Sequence, residues 1–437
     1  MRSQLQRFID SMEPNSVAII PAAHEQTRSY DTEFKFRQDS DFWYLTGFPE
    51  PDAIAVIAPG SKKPFTLYVR PRDPMMETWY GRRQGVEGAV KNFGADKAVS
   101  IEKFDADLDK ILDGRDRLYY RFALDNELDG RILNYLSNQR QRRLKSAYPP
   151  HTIIDPTLII GDMRLHKDAK EIALMQTAAT IASEAHILAM KKVKPGMNEG
   201  QVESFMEAYM KDQGASGVAY NSIIGGGDNA TILHYVENNM PLKDGDLILI
   251  DAGAEYQGYA SDITRTFPVN GKYSPAQREV YDVVLDVQMK CIDYTVVGNT
   301  VKARQEYSIE LLTEGMKKLG LLKGKTKDLI KKKEYMKYYM HGVGHYLGLD
   351  VHDAGRYFVD QEAKNSKPFA PGMVLTVEPG LYIPPDDKSA PAKYRGIGIR
   401  IEDDVVVTKD GNLNLTAKVT KDPDEIESLM HNKKIVR

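Results

Sequence analysis

Two aspartates eleven residues apart, Asp251 and Asp262, fall in the stretch LILIDAGAEYQGYASDITRTFP. Apolar runs flank a turn signal at Tyr256-Gln257-Gly258, midway between them, and the stretch reads as strand–turn–strand. A hairpin centred on that turn places Asp251 opposite, or nearly opposite, Asp262 on one face. Directly opposed residues of antiparallel strands have Cβ atoms roughly 4.5–5.5 Å apart. Two carboxylates that close repel each other, and one must keep a proton unless a cation lies between them. A pair of metal ions about 3.5–4 Å apart is the natural occupant. The plain alternative is a solvated pair at a turn with no chemistry, so the rest of the chain has to decide.

With 437 residues the chain is too long for one ordinary core, and two domains are expected. A net charge of −3 argues against a general nucleic-acid binder. The basic run KGKTKDLIKKKEYMK, residues 323–337, reads as a solvated helix end or loop. The single cysteine, Cys291, excludes an intrachain disulfide and sits in a helical pattern as a packing residue. Scarce cysteine fits a reducing compartment. The start, MRSQLQRFIDSMEPNS, lacks a signal-peptide apolar core. No apolar run approaches the ~20 residues of a membrane span. A cytoplasmic protein with neither nucleic-acid nor membrane partner is the expectation.

The first part mixes short apolar strands (SVAIIPAA, DAIAVIAPG, PFTLYVRPRD, DRLYYRFAL) with helical stretches such as SIEKFDADLDKILDG. That alternation predicts a smaller α/β domain over residues 1–165. From Asp168 a long helix begins, with Ile172, Met175, Ala179 and Ala182 on one face, closed by Pro195-Gly196. A second helix runs from Glu199 to Gln213. A third starts at Ser274, with Pro275 at the first helical position and Gln277 in the capping-box place, and reaches Tyr294. A fourth covers Lys302 to Leu319. Strands lie between and after these helices, including MVLTVEPGLYI and GIGIRIEDDVVVT. Residues 166–437 therefore read as α+β, with helices backing an antiparallel sheet. The glycines of IIGGGDN and RGIGIR do not match dinucleotide or phosphate-loop spacing.

Three of the nine histidines, His341, His345 and His352, crowd into HGVGHYLGLDVHDAG, which is not a helical HExxH zinc motif. Glu378 and Glu402 lie in strand-like, apolar surroundings, where an acid is costly unless paired or metal-bound. Arg400, two residues before Glu402, shares its face, so an Arg400–Glu402 ion pair is the bland alternative. Asp251, Asp262, Glu378 and Glu402 bring four negative charges, and His345 adds a neutral nitrogen. Two divalent cations would neutralise that set. Hard oxygen donors with little nitrogen and no thiolate suit Mn²⁺, with Co²⁺, Fe²⁺ or Zn²⁺ as substitutes.

The segments DAGAEYQGYASDITRTFP, HGVGHYLGLDVHD, TVEPGLY and GIRIEDD, in this order, resemble the signature segments of the pita-bread metallopeptidases. That family includes methionine aminopeptidase, prolidase and aminopeptidase P, with creatinase a relative of the same fold. TRSYDTEFKFRQDSDFWYLTGFPEPDA, ETWYGRRQG and YNSIIGGGDNATILHYVEN extend the resemblance toward aminopeptidases P over nearly the whole chain. The resemblance implies a C-terminal pita-bread domain behind an N-terminal domain of the creatinase/aminopeptidase P type. It implies that Asp262 and Glu402 bridge two metals, that Asp251 binds one, and that His345 and Glu378 bind the other. It further implies that His234, His341 and His352 line the substrate cleft, with His352 on the scissile carbonyl. Arg400 would support the ligands, and Tyr220 would shape the N-terminal side of the substrate. Asp31 and Trp79 would complete a neighbouring subunit's cleft in a dimer or tetramer.

The expected reaction is hydrolysis of an amino-terminal Xaa-Pro bond in peptides with proline second. A water bridging two cations ionises near neutral pH and attacks the carbonyl carbon, and Glu378 carries the proton to the leaving proline nitrogen. Prolidase, a dipeptidase of the same fold, is the nearest rival. A non-catalytic peptide-binding scaffold and a creatinase-like amidinohydrolase are further alternatives, neither of which needs intact metal ligands.

Overall fold

The computed structural model describes residues 2–141, 148–360 and 362–432. The chain divides into two compact units, Met1–Met163 and Arg164–Arg437. In the first, six strands form one mixed sheet in the order Lys97–Ser100, Phe65–Val69, Ile54–Ile57, Ser16–Pro21, Arg117–Tyr119, Thr152–Ile154. Every residue of Ser16–Pro21 is buried, as a near-continuous apolar run at the sheet's centre requires. Helices Phe104–Leu112 and Asn126–Gln141 bring Phe104, Leu108 and Leu112, and Leu128, Ile132 and Leu136, to the same core. Their four-residue spacing makes one stripe on each helix. Asp31 lies exposed in the turn of a short two-stranded ribbon, and Trp79, on the helix Pro74–Tyr80, is 79% exposed.

In the second unit, local chemistry sets the helix ends. Asp168 caps Ala169–Lys192 through a capping box with Glu171. Ser274 and Gln277 do the same for Pro275–Tyr294, which has proline in its first turn. Helices Glu199–Asp212 and Val301–Lys318 complete the set read from the sequence. Their buried faces, including Ala182, Met206, Val284 and Leu312, share one apolar core with Ile248, Ile250 and Phe267 of the strands. Cys291 is fully buried there. The basic run forms the helix Thr326–Lys331 and the turn Glu334–Lys337; Leu329, Tyr338 and Tyr339 pin it to the core while its lysines face solvent. Among the described residues no helix is long and apolar enough to cross a membrane.

The strands differ from a single backed sheet. Four small antiparallel sheets occur among the described residues of this unit. MVLTVEPGLYI splits into Val374–Val377 and Gly380–Tyr382, and GIGIRIEDDVVVT into Gly398–Arg400 and Asp403–Thr408. The breaks fall at Glu378-Pro379 and Ile401-Glu402. Pro379 has no N–H to give a ladder, and the Glu402 N–H leaves its own sheet to bond the Thr264 carbonyl at 3.1 Å. Both interruptions turn a glutamate out of the ladder.

The hairpin forms around a two-residue turn, Gln257-Gly258, with φ of 50° and 87°. Two left-handed residues make the type of turn that matches strand twist. Pairing runs in one register from Tyr256↔Tyr259 to Asp251↔Thr264. Asp262 is therefore opposite Gly253 and diagonal to Asp251, on the same face. Gly253 has no room for a side chain, since an added Cβ would lie 1.8 Å from the Ser261 carbonyl oxygen.

His186, on Ala169–Lys192, secures this exit from the strand. Its ring is fully buried, and Nε2–H donates to the Ala252 carbonyl at 3.0 Å. Burial pushes its pKa down to about 3 from 6.5. The native ring thus stays neutral where the unfolded chain takes up a proton, so its contribution to stability is present above pH 6.5 and is lost as pH falls toward 3. We expect His186→Gln, which keeps a donor but cannot titrate, to show a shallower fall of the thermal midpoint between pH 6.5 and 4 than the parent chain. At pH 8 it should be less stable by ~1 kcal/mol from the disturbed hydrogen bond. Parallel midpoint curves for the two proteins would remove His186 as the cause of acid sensitivity.

Candidate metal centre

A cavity of about 450 Å³ opens in the second unit, and its wall includes Asp251, Asp262, His345, Glu378 and Glu402. Tyr220, His234, His341, His352 and Arg400 line it as well. All the lining residues lie between positions 220 and 402; Asp31 and Trp79 are not among them.

The four carboxylates of this set stand where a strand ends or breaks. Asp251 closes Leu247–Asp251, and Asp262 lies between Tyr259–Ala260 and Thr264–Pro268. Glu378 follows Val377, and Glu402 precedes Asp403. His345 is in the glycine-rich loop, held by its N–H to Thr376 Oγ1 (3.1 Å) and by the Thr376 N–H to its carbonyl (3.0 Å). One donor atom each from Asp262, His345 and Glu402 lies within 4.8 Å of the others. His345 Nε2 is 3.5 Å from Asp262 Oδ2 and 3.6 Å from Glu378 Oε1. Its Nδ1 is 3.1 Å from the Tyr346 carbonyl, which in the neutral ring requires the proton on Nδ1 and leaves Nε2 a free lone pair.

The hydrogen bonds around these donors were only partly legible in advance. Arg400 pairs with Asp251, not Glu402: Nη2 reaches Asp251 Oδ2 at 2.6 Å. The bland Arg400–Glu402 ion pair is thereby corrected. Glu402 Oε2 instead accepts from Thr264 Oγ1 at 2.6 Å. The reason is register: Arg400 pairs with Gly380 across its own strand pair, and its long side chain crosses to the neighbouring sheet that carries Asp251. The Tyr220 hydroxyl lies 2.6 Å from Asp251 Oδ1 and 2.5 Å from Asp262 Oδ1, so it bridges the two acids of the hairpin. His341 Nε2 is 2.9 Å from the Tyr382 hydroxyl, which also accepts from Arg400 Nη1 at 3.0 Å. The His352 ring meets the edge of His345 at 4.3 Å between centroids.

Thr264, Thr376, Tyr382 and Asp404 were missed. Thr264 was within reach, because it sits two residues from Asp262 on the same face of an extended segment. Asp404, two residues after Glu402, is buried and accepts the Asp262 N–H at 3.0 Å. Tyr382 carries no local signal; only the pairing with Gly398–Arg400 brings it to the guanidinium.

Burial, together with Asp262 and Glu378, holds the Glu402 carboxyl well above the ordinary carboxylate range. Burial pushes Glu378 up to about 7 against the pull of His345 and Arg400. Burial also raises Asp251, despite Arg400. Asp262 goes down, because His345 and Tyr220 outweigh the burial that would raise it. Burial alone would lower the His345 imidazole, but Asp262 and Glu378 push it up to about 9. Burial and Arg400 push His341 down to about 4, and burial with His345 lowers His352.

Asp262, His345 and Glu402 could hold a metal ion, and hard oxygen donors beside an imidazole suit a divalent one. The chain matches the model of metallopeptidase family M24 over residues 173–409 and that of the aminopeptidase P N-terminal domain over residues 1–119. It is 44% identical over 427 residues to Xaa-Pro aminopeptidase of Escherichia coli (strain K12), covering 97% of this chain and 96% of the relative. It is 38% identical to Xaa-Pro aminopeptidase 3 of Homo sapiens, covering 92% and 78%. Aminopeptidase PepP of Pseudomonas aeruginosa superposes with a TM-score of 0.96 at 44% identity, over 99% of this chain and 97% of that one. A zinc-substituted Escherichia coli aminopeptidase P in complex with product gives 0.95 at 43% identity, over 100% and 99%. The chain belongs to metallopeptidase family M24, a family that implies divalent metal ions, and it has a C-terminal pita-bread domain and a smaller N-terminal α/β domain.

The raised carboxyls set the pH response once metal is stripped. Glu378 holds its proton in the native chain up to about 7, against an ordinary 4.5. Its contribution is full below 4.5 and lost as pH rises through 7. Chelator-treated protein should therefore lose thermal stability as pH is raised from 5 to 8. Adding a divalent cation should stabilise the chain more at pH 8 than at pH 5. Equal stabilisation by metal at both values would show that the carboxyls are not competing with it for protons.

Proposed function

We propose that this chain is an Xaa-Pro aminopeptidase, which removes the first residue from peptides with proline in second place. The observation that carries the proposal is the convergence of Asp251, Asp262, His345, Glu378 and Glu402 on one open cavity that also holds His234, His341 and His352. Near-full-length likeness to proteins called Xaa-Pro aminopeptidase supports it. Residues 166–437 would form the catalytic domain and residues 1–165 the N-terminal domain. Asp262 and Glu402 would bridge two divalent ions, with Asp251 on one and His345 and Glu378 on the other; the oxygen-rich donor set favours Mn²⁺. When bound, such ions neutralise the carboxylates, polarise a carbonyl and lower the pKa of water from ~15.7 to roughly 7.

The chain's own residues do the rest. Glu378, on the cavity wall, would hold and give back a proton there. The leaving proline nitrogen must receive that proton, because an Xaa-Pro bond is a tertiary amide with no N–H. His352 would place a hydrogen-bond donor at the scissile carbonyl. His341, backed by the Tyr382 hydroxyl, and His234 would orient the peptide. Arg400 fixes Asp251, and Tyr220 orders Asp251 and Asp262 while flanking the substrate's first residue. Asp31 and Trp79, exposed on the first unit, would serve a neighbouring subunit's cleft in a homo-oligomer. A cytoplasmic location, with neither nucleic acid nor membrane as partner, completes the proposal.

Manganese-supplemented assays should show turnover of an Xaa-Pro-Yaa tripeptide at least equal to that of the Xaa-Pro dipeptide. Strong preference for the dipeptide would make the protein a prolidase, and no turnover of either would reject peptidase function. Glu402→Ala should lose bound metal by elemental analysis together with activity; full metal content in that variant would remove Glu402 from the ligand set. His352→Ala should keep its metal but lose kcat by ~10²-fold or more, the scale of one transition-state donor. An unchanged kcat/KM would leave His352 a structural residue.

A further inference from the structure

A cluster of buried charges adjoins His352 of the cavity wall, and none of its members lines the cavity. Asp353 follows His352, and its carboxylate is 1% exposed. Oδ1 accepts from Arg164 Nη2 at 2.5 Å, and Oδ2 from Lys167 Nζ at 2.9 Å. The Arg164 and Lys167 side chains are 5% and 1% exposed. Arg164 Nη2 also reaches Asp350 Oδ2 at 2.7 Å. Burial works against the Asp353 carboxylate, but the two cations beside it hold it below the ordinary range.

The same carboxylate closes the loop that carries His352. The Asp353 N–H bonds the Tyr346 carbonyl at 2.9 Å, and the Asp350 N–H points at Asp353 Oδ1 at 3.3 Å. Gly348 is pressed onto the cluster: an added Cβ would lie 2.2 Å from Asp353 Oδ2 and 2.9 Å from Lys167 Cε. Its carbonyl accepts from Ala260 N at 2.8 Å, two residues before Asp262. The Lys167 backbone is fixed in turn by its N–H to the Gly372 carbonyl at 2.9 Å. Between these ties, Val351 and His352 project into the cavity wall.

Buried ion pairs are poor sources of net stability, and well-packed apolar residues serve as well or better; their best-attested worth is in specifying one geometry. We infer that Lys167, Arg164 and Asp353 are positioning residues: their ion cluster locks the Tyr346–Asp353 loop so that His352 stands at the reacting carbonyl. The inference rests on the peptidase reading for its kinetic consequence, but not for its structural one.

Two measurements on the full-length chain test it. In the manganese-loaded enzyme, Lys167→Met should lower kcat tenfold or more on an Xaa-Pro-Yaa tripeptide, with metal content and KM within about twofold of the parent. Lys167→Arg should recover part of the loss. In a His352→Ala background, Lys167→Met should cost no more than about twofold further, because a residue acting through His352 has nothing left to position. A loss as large in that background as in the parent would overturn the inference. If Lys167→Met does not fold, Asp350→Asn, at the more exposed edge of the cluster, takes its place in the same cycle. Independently of turnover, histidine-ring ¹H–¹³C correlations of the metal-free chain should show the His352 signal, assigned by its loss in His352→Ala, shifted or broadened in Lys167→Arg and Asp350→Asn. The signals of His24 and His151 should stay in place. An unmoved His352 signal in both variants would reject the positioning role even if the parent proves inactive on every Xaa-Pro peptide, whereas that inactivity would reject only the peptidase reading.

Discussion

Asp251, Asp262, Glu378 and Glu402 share one cavity with a single guanidinium, Arg400, and the imidazole of His345. Away from water, like charges are weakly screened and each ionised carboxylate loses its hydration. The protein's own groups answer only part of that cost. Arg400 satisfies Asp251, the Tyr220 hydroxyl lies between Asp251 and Asp262, and Thr264 donates to Glu402. Burial, with the remaining like charge, leaves Glu378 and Glu402 clinging to protons, while Asp262 and Glu378 draw His345 toward the cationic form. Divalent cations of the kind the M24 family implies reverse each of these tendencies at once, because they favour ionised carboxylates and a neutral imidazole.

The strand breaks follow from the same requirement. A side chain in mid-strand is held perpendicular to its own sheet, and its neighbours on that face are the residues across the ladder. Asp262, Glu378 and Glu402 meet Asp251 at points where their own backbone has left its ladder. Glu378 does so before Pro379, and Glu402 does so by giving its N–H to Thr264 in another sheet. The loss of two long strands to four short ones is thus the geometric condition for a shared centre.

Buried charges outside the cavity hold its walls. Arg265, fully buried, pairs with Asp403 at 2.7 Å and donates to the Glu402 carbonyl, which fixes the backbone of that donor. Glu199 accepts from Gly226 N, Asn229 Nδ2, Tyr235 OH and Met240 N, all at 2.8–3.0 Å, and so clamps the segment that presents His234. The Lys167–Asp353–Arg164 cluster does the same for the His352 loop. In each case one buried polar side chain makes several directional bonds at once, which apolar packing does not provide.

Features that depend on a few neighbouring residues were legible in the chain itself. Ser274-Pro275-Gln277 announces a helix start because the cap, the missing N–H and the returning side chain all lie within one turn. The Asp251–Asp262 encounter was readable for the same reason: a two-residue turn sets the register of its own hairpin, and period-two alternation then puts both acids on one face. The family signatures supplied the order of the donors. Tertiary structure alone decided that Arg400 serves Asp251 rather than its neighbour Glu402, that Tyr382 joins Arg400 to His341, and that Asp404 is an inward acid. Those contacts join different sheets, and alternation along a strand says which face a residue takes but not which other sheet that face will meet.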